Sequence, residues 1–150
     1  MAASAPAQSV TLSLPRTRLI GREVELANVR SMFLDEAGSL LTLTGPSGVG
    51  KTRLALAIAQ DLAAHFADGV TFVPLAAIHD VEGVIPAIAQ SLGVREGEQT
   101  PLDRLSAAVH DRHLLLVLDN VEQVLGAGPL LGEFLRRCPR LSLLITSRAV

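Results

Sequence analysis

One glycine-rich stretch, residues 45–52, constrains this chain more than any other, because it fits the pattern G-x-x-x-x-G-K-[ST]. Glycines at this spacing let the backbone turn tightly, so that successive N–H groups can approach the oxygens of an anion. Lys51 adds a positive point charge, and Thr52 adds a hydroxyl of the kind that coordinates Mg²⁺. The stretch therefore predicts a phosphate-binding loop (P-loop, or Walker A) formed by Gly45, Pro46, Ser47, Gly48, Val49, Gly50, Lys51 and Thr52.

The sequence on both sides of this loop supports the interpretation. Residues 39–44 are typical of a short buried strand, and residues 53–64 have the apolar spacing of a helix. A loop between a strand and a helix places the positive end of the helix dipole beside a bound anion. Two competing motifs fail at single positions. The dinucleotide fingerprint G-x-G-x-x-G needs Gly or Ala where Arg53 stands, and the nucleophile elbow G-x-S-x-G needs Gly at Val49.

The rest of the chain alternates between strand-like and helix-like segments. Strands are predicted over residues 69–75, 114–118 and 141–145, and helices over residues 81–93, 100–110 and from Pro129 onward. This alternation predicts an α/β fold, in which a mainly parallel sheet lies between two helical layers. The carboxyl ends of parallel strands share one side of the sheet, where ligands bind. We therefore expect the P-loop, Asp119 and the tripeptide 146–148 to converge, since each follows a predicted strand.

The polar residues at these strand ends predict specific chemistry. Asp119 follows an apolar strand as the acid of a Walker B motif does, and its carboxylate would hold Mg²⁺ opposite Thr52. Arg148 stands where a cation could sense the γ-phosphate; a surface arginine at a strand end is the alternative. Hydrolysis also needs a group that positions or activates water. The residue after Asp119 is Asn120, which is not a general base, and Glu122 is the nearest carboxylate. Slow hydrolysis or nucleotide switching is therefore favoured over fast turnover.

Composition disfavours several other classes of protein. The net charge is −2 and the pI is near 6.1, which argues against direct nucleic-acid binding by this segment. A membrane-spanning run and the order of a signal peptide are both absent from the sequence, so we expect a cytoplasmic protein. Cys138 is the one cysteine, which excludes an internal disulfide and predicts a helix-end residue packed in the core. Metal-ligand spacing is absent among the histidines, His65, His79, His110 and His113.

The amino-terminal part is predicted to differ from the rest. Residues 1–18 are rich in Ala, Ser, Pro and Thr without a sustained period, and we expect a disordered leader. Within this leader, residues 10–14 alternate as an edge strand would, and Pro15 would end it. A helix is expected to follow residues 19–23, with an apolar face formed by Leu26, Val29, Met32 and Phe33. The expected domain division is a leader over 1–18 and a P-loop nucleotide-binding domain over 19–150.

Four segments together make a more specific resemblance: residues 19–23, 42–55, 116–122 and 145–148. In this order they look like the NB-ARC-like nucleotide-binding domain of STAND ATPases, as found in bacterial regulators with LuxR-type or other transcriptional-activator domains. The resemblance implies a signal-transducing switch that rests with ADP and changes shape or assembles with ATP. It also implies that the segment before the helix contacts adenine. Many members of that class carry two acids in Walker B, whereas this chain has Asn120 in the second position.

The resemblance implies partners and extent as well. In that class the domain continues through a further strand, a small helical domain and a winged helix, so the domain here is expected to be C-terminally incomplete. Effector and DNA-binding domains are expected in a longer parent chain, with possible ATP-dependent self-assembly there and no membrane association. The expected cofactors are ATP or ADP and Mg²⁺. The nucleotide is expected to contact Leu19, Ile20, Gly21, Arg22, the eight P-loop residues and Arg53. The expected metal ligands are Thr52 and Asp119. The catalytic candidates are Asp119, Glu122 and Arg148.

Two other functions stay open at this point. A small-molecule kinase would use the same loop but needs an arginine-bearing lid, for which residues 95–99 are a poor candidate. A truncated remnant that does not bind nucleotide is the other alternative. A GTPase is disfavoured, because residues 80–83 fit only the loose D-x-x-G pattern and the sequence lacks an Asn-Lys-x-Asp guanine reader.

Overall fold

A five-stranded parallel sheet organises the chain in the computed structural model, which describes residues 9–13, 30–31, 33, 40–45, 50–121 and 126–148. At residues 9–13, 45 and 148 only the backbone is described. The strands are β1 (Ser9–Ser13), β2 (Leu40–Gly45), β3 (Val70–Pro74), β4 (Leu115–Asp119) and β5 (Ser142–Arg148). Their order across the sheet is β1-β2-β5-β4-β3, and every neighbouring pair is parallel.

In the described part of the chain, helices with assigned bounds connect and cover these strands: α1 (Lys51–Leu62), α2 (Val84–Leu92), α3 (Pro101–Val109) and α4 (Gly128–Arg137). Residues 30, 31 and 33 are helical as well. A 3₁₀ turn, Val81–Gly83, leads into α2. Pro86 is the third residue of α2, where its missing N–H breaks no helical bond. Thr100 caps α3 as the sequence predicts, since its Oγ1 accepts from the Asp103 N–H at 3.2 Å.

The sheet separates two apolar layers, and β4 shows how. All five residues of β4 are buried, and their side chains alternate between the two faces. Leu115 and Val117 pack into the layer of α1, together with Phe33 and Phe66, whereas Leu116 and Leu118 pack into the layer of α2, α3 and α4. The continuous apolar run of this strand is therefore the consequence of burial on both faces.

Helix α1 covers its face of the sheet with one apolar stripe. The buried members of the stripe recur at the spacing of 3.6 residues per turn and are Leu54, Ala55, Ile58, Ala59 and Leu62. The predicted helix is confirmed, although it begins at Lys51 rather than at Arg53. The three-layer α/β/α prediction is confirmed as well, because helices cover both faces of the parallel sheet.

The prediction of a disordered leader over residues 1–18 is wrong for residues 9–13. These residues form β1, which pairs with β2 in a register that runs from Ser9 with Leu40 to Ser13 with Thr44. The edge strand indicated by the apolar alternation is thus present, shifted by one residue. The physical reason is that β2 has a free side in the sheet, and pairing there satisfies the backbone groups of a short segment whose composition alone would not order it. The rest of the expected leader lies outside the described residues.

None of the described helices combines the length and apolar character needed to cross a bilayer. The longest of them, α1, has 12 residues. A membrane-spanning helix needs about 20 apolar residues.

Cys138 is buried as the sequence predicts, at the end of α4. Its Sγ lies 3.7 Å from the Ser106 carbonyl oxygen, and burial raises the pKa of the thiol to about 11. Because the thiolate is the reactive form, we expect a thiol reagent at pH 8 to modify the native protein on the order of a hundredfold more slowly than the chain unfolded in denaturant. Equal rates in the two states would show that the end of α4 is not packed against α3.

Candidate functional site

The amino end of α1 is built for close approach of an anion. Gly50 precedes the helix with φ 80° and ψ 29°, a left-handed conformation that glycine adopts without steric cost. Its carbonyl accepts from the Leu54 N–H at 2.9 Å, so the first helical turn begins at once. Lys51, the sole lysine of the sequence, is half-buried in that first turn. The helix dipole makes the amino end of α1 locally positive.

Asp119 lies at the carboxyl end of β4, directed toward α1. Alternate residues of a strand point to the same face of the sheet, so Asp119 lies on the same face as Leu115 and Val117, which pack into the layer of α1. Its side chain is 6% exposed. The Thr52 hydroxyl donates to Asp119 Oδ1 at 2.9 Å, so the loop threonine and the strand-end acid are in direct contact across 67 positions of sequence.

Thr146, which the sequence placed only as part of the converging tripeptide 146–148, and the backbone N–H of Asn120 complete this contact. Thr146 is 1% exposed in β5, and its hydroxyl donates to Asp119 Oδ1 at 2.5 Å. The Asn120 N–H donates to Thr146 Oγ1 at 3.0 Å, and the Asn120 side-chain amide donates to Asp119 Oδ2 at 3.2 Å. A polar residue inside the buried strand β5 was the available signal for Thr146. The group formed by Thr52, Asp119, Asn120 and Thr146 is called the Asp119 cluster below.

The remaining predicted residues are placed in different ways. The Arg148 backbone pairs with Gly45, so the last residue of β5 adjoins the start of the loop. Arg53 is exposed on α1. Glu122, the loop residues 46–49 and the segment 19–22 lie outside the described residues, and their roles stay predictions.

An open cavity of about 770 Å³ adjoins the loop on the outward side of α1. It is lined by Gly50, Thr52, Arg53, Leu56, Ala57 and Gln60. Leu56 is 42% exposed there. All six lining residues belong to α1 or its N-cap, so the cavity is an open depression along one face of this helix.

Two of the described histidines, His65 and His113, lie in contact with each other at the amino end of β4. His113, just before β4, packs against Phe66 and His65 at the opposite end of the strand from Asp119. Burial lowers the pKa of His113, and the neighbouring charges of His65 and Arg140 lower it further. Among the described residues, groups of three or more His, Cys, Asp or Glu side chains that could hold a metal are absent.

Comparison with known proteins gives the class of the domain. The profile of a family described as AAA domain matches residues 34–148. An uncharacterized protein of Mycobacterium tuberculosis is 40% identical over 134 residues, which cover 87% of this chain and 33% of that protein. A protein of the same organism, named as an HTH-type transcriptional regulator, is 43% identical over 112 residues, which cover 73% of this chain and 12% of that protein. The chain thus spans a third or less of these relatives.

The fold has a counterpart among solved structures. The structure of the Aeropyrum pernix ORC2 protein, described as ADPNP-ADP complexes, superposes with a TM-score of 0.68 at 19% identity. The superposition covers 89% of this chain and 42% of that one. This likeness shows the α/β P-loop NTPase fold. Because the family match extends over most of the sequence and the fold agrees with it, the chain belongs to the AAA domain family.

Proposed function

We propose that this chain is the nucleotide-binding module of a regulatory ATPase, and that it binds ATP and ADP with Mg²⁺ at the amino end of α1. The observation that carries the proposal is the contact between Thr52 and Asp119 beneath that helix end. A P-loop threonine and a strand-end carboxylate meet there, beside a left-handed glycine and the half-buried Lys51. These are the groups that a triphosphate and its cation need at one place.

The donor atoms at this place fit magnesium. Thr52 Oγ1 and the two Asp119 carboxylate oxygens are hard oxygen donors, and Mg²⁺ is bound in proteins through one or two such groups plus water and phosphate oxygens. Thr52 and Asp119 would hold the ion, which supplies neutralisation of phosphate charge when bound. Lys51 and the loop N–H groups would hold the phosphate oxygens, and Arg148 would add a further cation.

Slow hydrolysis or switching fits the cluster better than rapid turnover. The residue after Asp119 is an amide, and its Nδ2 already donates to Asp119 Oδ2 at 3.2 Å. An amide in this arrangement can orient a water molecule but does not remove its proton. Glu122 is the carboxylate proposed for that role, at a low rate.

The regulatory part of the proposal has a separate basis. One relative is named as an HTH-type transcriptional regulator, and this chain matches 12% of its length. The four-segment resemblance to NB-ARC-like domains of STAND ATPases supports the same view. We infer that the segment 19–22 and the cavity beside Leu56 take part in adenine binding. We also infer that the parent protein is cytoplasmic. In that protein, further effector and DNA-binding domains would read the nucleotide state, and ATP-dependent self-assembly would be one way of doing so.

Displacement of a fluorescent ATP analogue tests the nucleotide class. With Mg²⁺ present, unlabelled ATP and ADP are expected to displace the analogue at comparable concentrations, and ADP at the lower one if the module rests with ADP. GTP at the same concentration is expected to displace little. Displacement by GTP as effective as by ATP would contradict the adenine assignment, and failure of both ATP and ADP to displace would contradict the nucleotide site.

A further inference from the structure

Asp119 receives donors on both carboxylate oxygens, and Thr146 has a special place among them. Oδ1 accepts from Thr52 at 2.9 Å and from Thr146 at 2.5 Å, whereas Oδ2 accepts from the Asn120 amide at 3.2 Å. Thr52 belongs to the P-loop motif, and its hydroxyl would also have to coordinate the Mg²⁺ that accompanies the phosphates. Thr146 sits on the central strand β5, so its contact does not depend on the loop.

The orientation of the Thr146 hydroxyl is fixed by its second partner. A hydroxyl carries one hydrogen and accepts through its lone pairs. The Asn120 N–H can only donate, so it occupies a lone pair of Thr146 Oγ1 at 3.0 Å. The one hydrogen of Thr146 is therefore left for the carboxylate, where the distance of 2.5 Å is that of a charge-assisted bond.

The backbone of Asn120 makes this arrangement possible. Asn120 has φ 66° and is the only described non-glycine residue with positive φ. Asn tolerates the left-handed conformation better than most residues, and here it turns the chain at the end of β4 while its N–H points to β5. The left-handed backbone of Asn120 and its hydrogen bond to Thr146 therefore occur together.

We infer that Thr146 is a positioning residue for Asp119: with its orientation set by the Asn120 N–H, it holds the carboxylate where the cation of a Mg²⁺–nucleotide complex is bound. The inference rests on the proposed function and adds a residue on β5 to it. Thr146 is too deeply buried to serve as a contact for solvent or partner, since it is 1% exposed. Its two hydrogen bonds both belong to the cluster.

The test is the Mg²⁺ effect, defined as the ratio of the dissociation constants of fluorescent ATP without and with Mg²⁺, measured on the full chain. Thr146→Val keeps the shape of the side chain and removes the hydroxyl. Loss of a partner that orients a metal-binding carboxylate typically weakens metal affinity 10–100-fold, so we expect the Mg²⁺ effect to fall by about tenfold while Mg²⁺-free binding changes by less than about twofold. A purely structural threonine would change both affinities together.

Two variants make the result specific. Thr146→Ser retains the hydroxyl and is expected to restore the Mg²⁺ effect. Thr71→Val makes the same change at a half-buried threonine of the edge strand β3, two strands from β5 and outside the Asp119 cluster. This variant is expected to behave as the wild type. If Thr146→Val does not fold, Thr146→Ser still decides the matter, because a Mg²⁺ effect as small as that of Asp119→Asn would contradict the inference.

The outcomes also separate this inference from the proposed function. If the wild-type chain binds ATP with a Mg²⁺ effect, and the folded Thr146→Val variant shows a Mg²⁺ effect of the same size, the role of Thr146 alone is overturned. A wild-type chain that binds no ATP in either condition would overturn the nucleotide site, and the role of Thr146 with it.

Discussion

Replacement of Lys51 by alanine is expected to weaken ATP binding by about 100-fold, which corresponds to about 2.7 kcal/mol. Lys51 is half-buried in the first turn of α1, so its ammonium group would meet phosphate in a partly desolvated place. Truncation of one partner in such a charge-assisted contact costs about 2–5 kcal/mol, much of it from the charge that is left unpaired. Titration with a fluorescent ATP analogue in the presence of Mg²⁺ measures the effect.

The matched control is Arg112→Ala, which removes the same charge from an exposed position between α3 and β4. It is expected to leave ATP affinity within about twofold of the wild type, because exposed charges are well screened. The single lysine offers an independent check, since bound ATP is expected to protect Lys51 from an amine-directed reagent. Unchanged affinity in Lys51→Ala would remove the P-loop from the proposed site.

Asp119→Asn is expected to abolish the Mg²⁺ effect. The amide has the shape of the carboxylate but lacks its charge, and Mg²⁺ is bound in proteins mainly through charged oxygen ligands. Without Mg²⁺, ATP is expected to bind as well as or better than to the wild type, because a negative charge facing the polyphosphate has been removed. The opposite signs with and without the ion distinguish loss of a metal ligand from general damage to the site.

Asp61→Asn is the control for this variant, because it changes the net charge by the same amount on α1. Asp61 is exposed near the carboxyl end of that helix and lies 3.7 Å from Arg30. It is expected to leave the Mg²⁺ effect unchanged, since exposed ion pairs contribute little. A Mg²⁺ effect that persists in Asp119→Asn would show that another group binds the cation.

The sheet was predictable because its strands carry strong local signals. Leu115 to Leu118 are apolar without interruption, and such a run is typical of a strand buried on both faces. Asp119 could be placed toward the loop for the same reason, since parallel strands bring their carboxyl ends to one side. The contact of Asp119 with Thr52 then follows because side chains alternate along β4 and Asp119 falls on the face that α1 covers.

The parts that sequence reasoning missed depend on contacts between distant segments. The bounds of β1, which the apolar alternation placed one residue later in the chain, are set by its pairing with β2. Thr146 was seen only as part of a strand end, because its partners, Asp119 and the Asn120 N–H, come from another strand. The left-handed backbone of Asn120 has no signal in a single sequence beyond the general tolerance of asparagine for it.

The most direct measurement is titration of the wild-type chain with fluorescent ATP, with and without Mg²⁺, while protection of Cys138 from a thiol reagent reports that the chain is folded. The proposed site predicts saturable binding that Mg²⁺ strengthens, since Thr52 and Asp119 are already in contact at the amino end of α1. A folded chain, with Cys138 protected, that shows no saturable binding in either condition would contradict it.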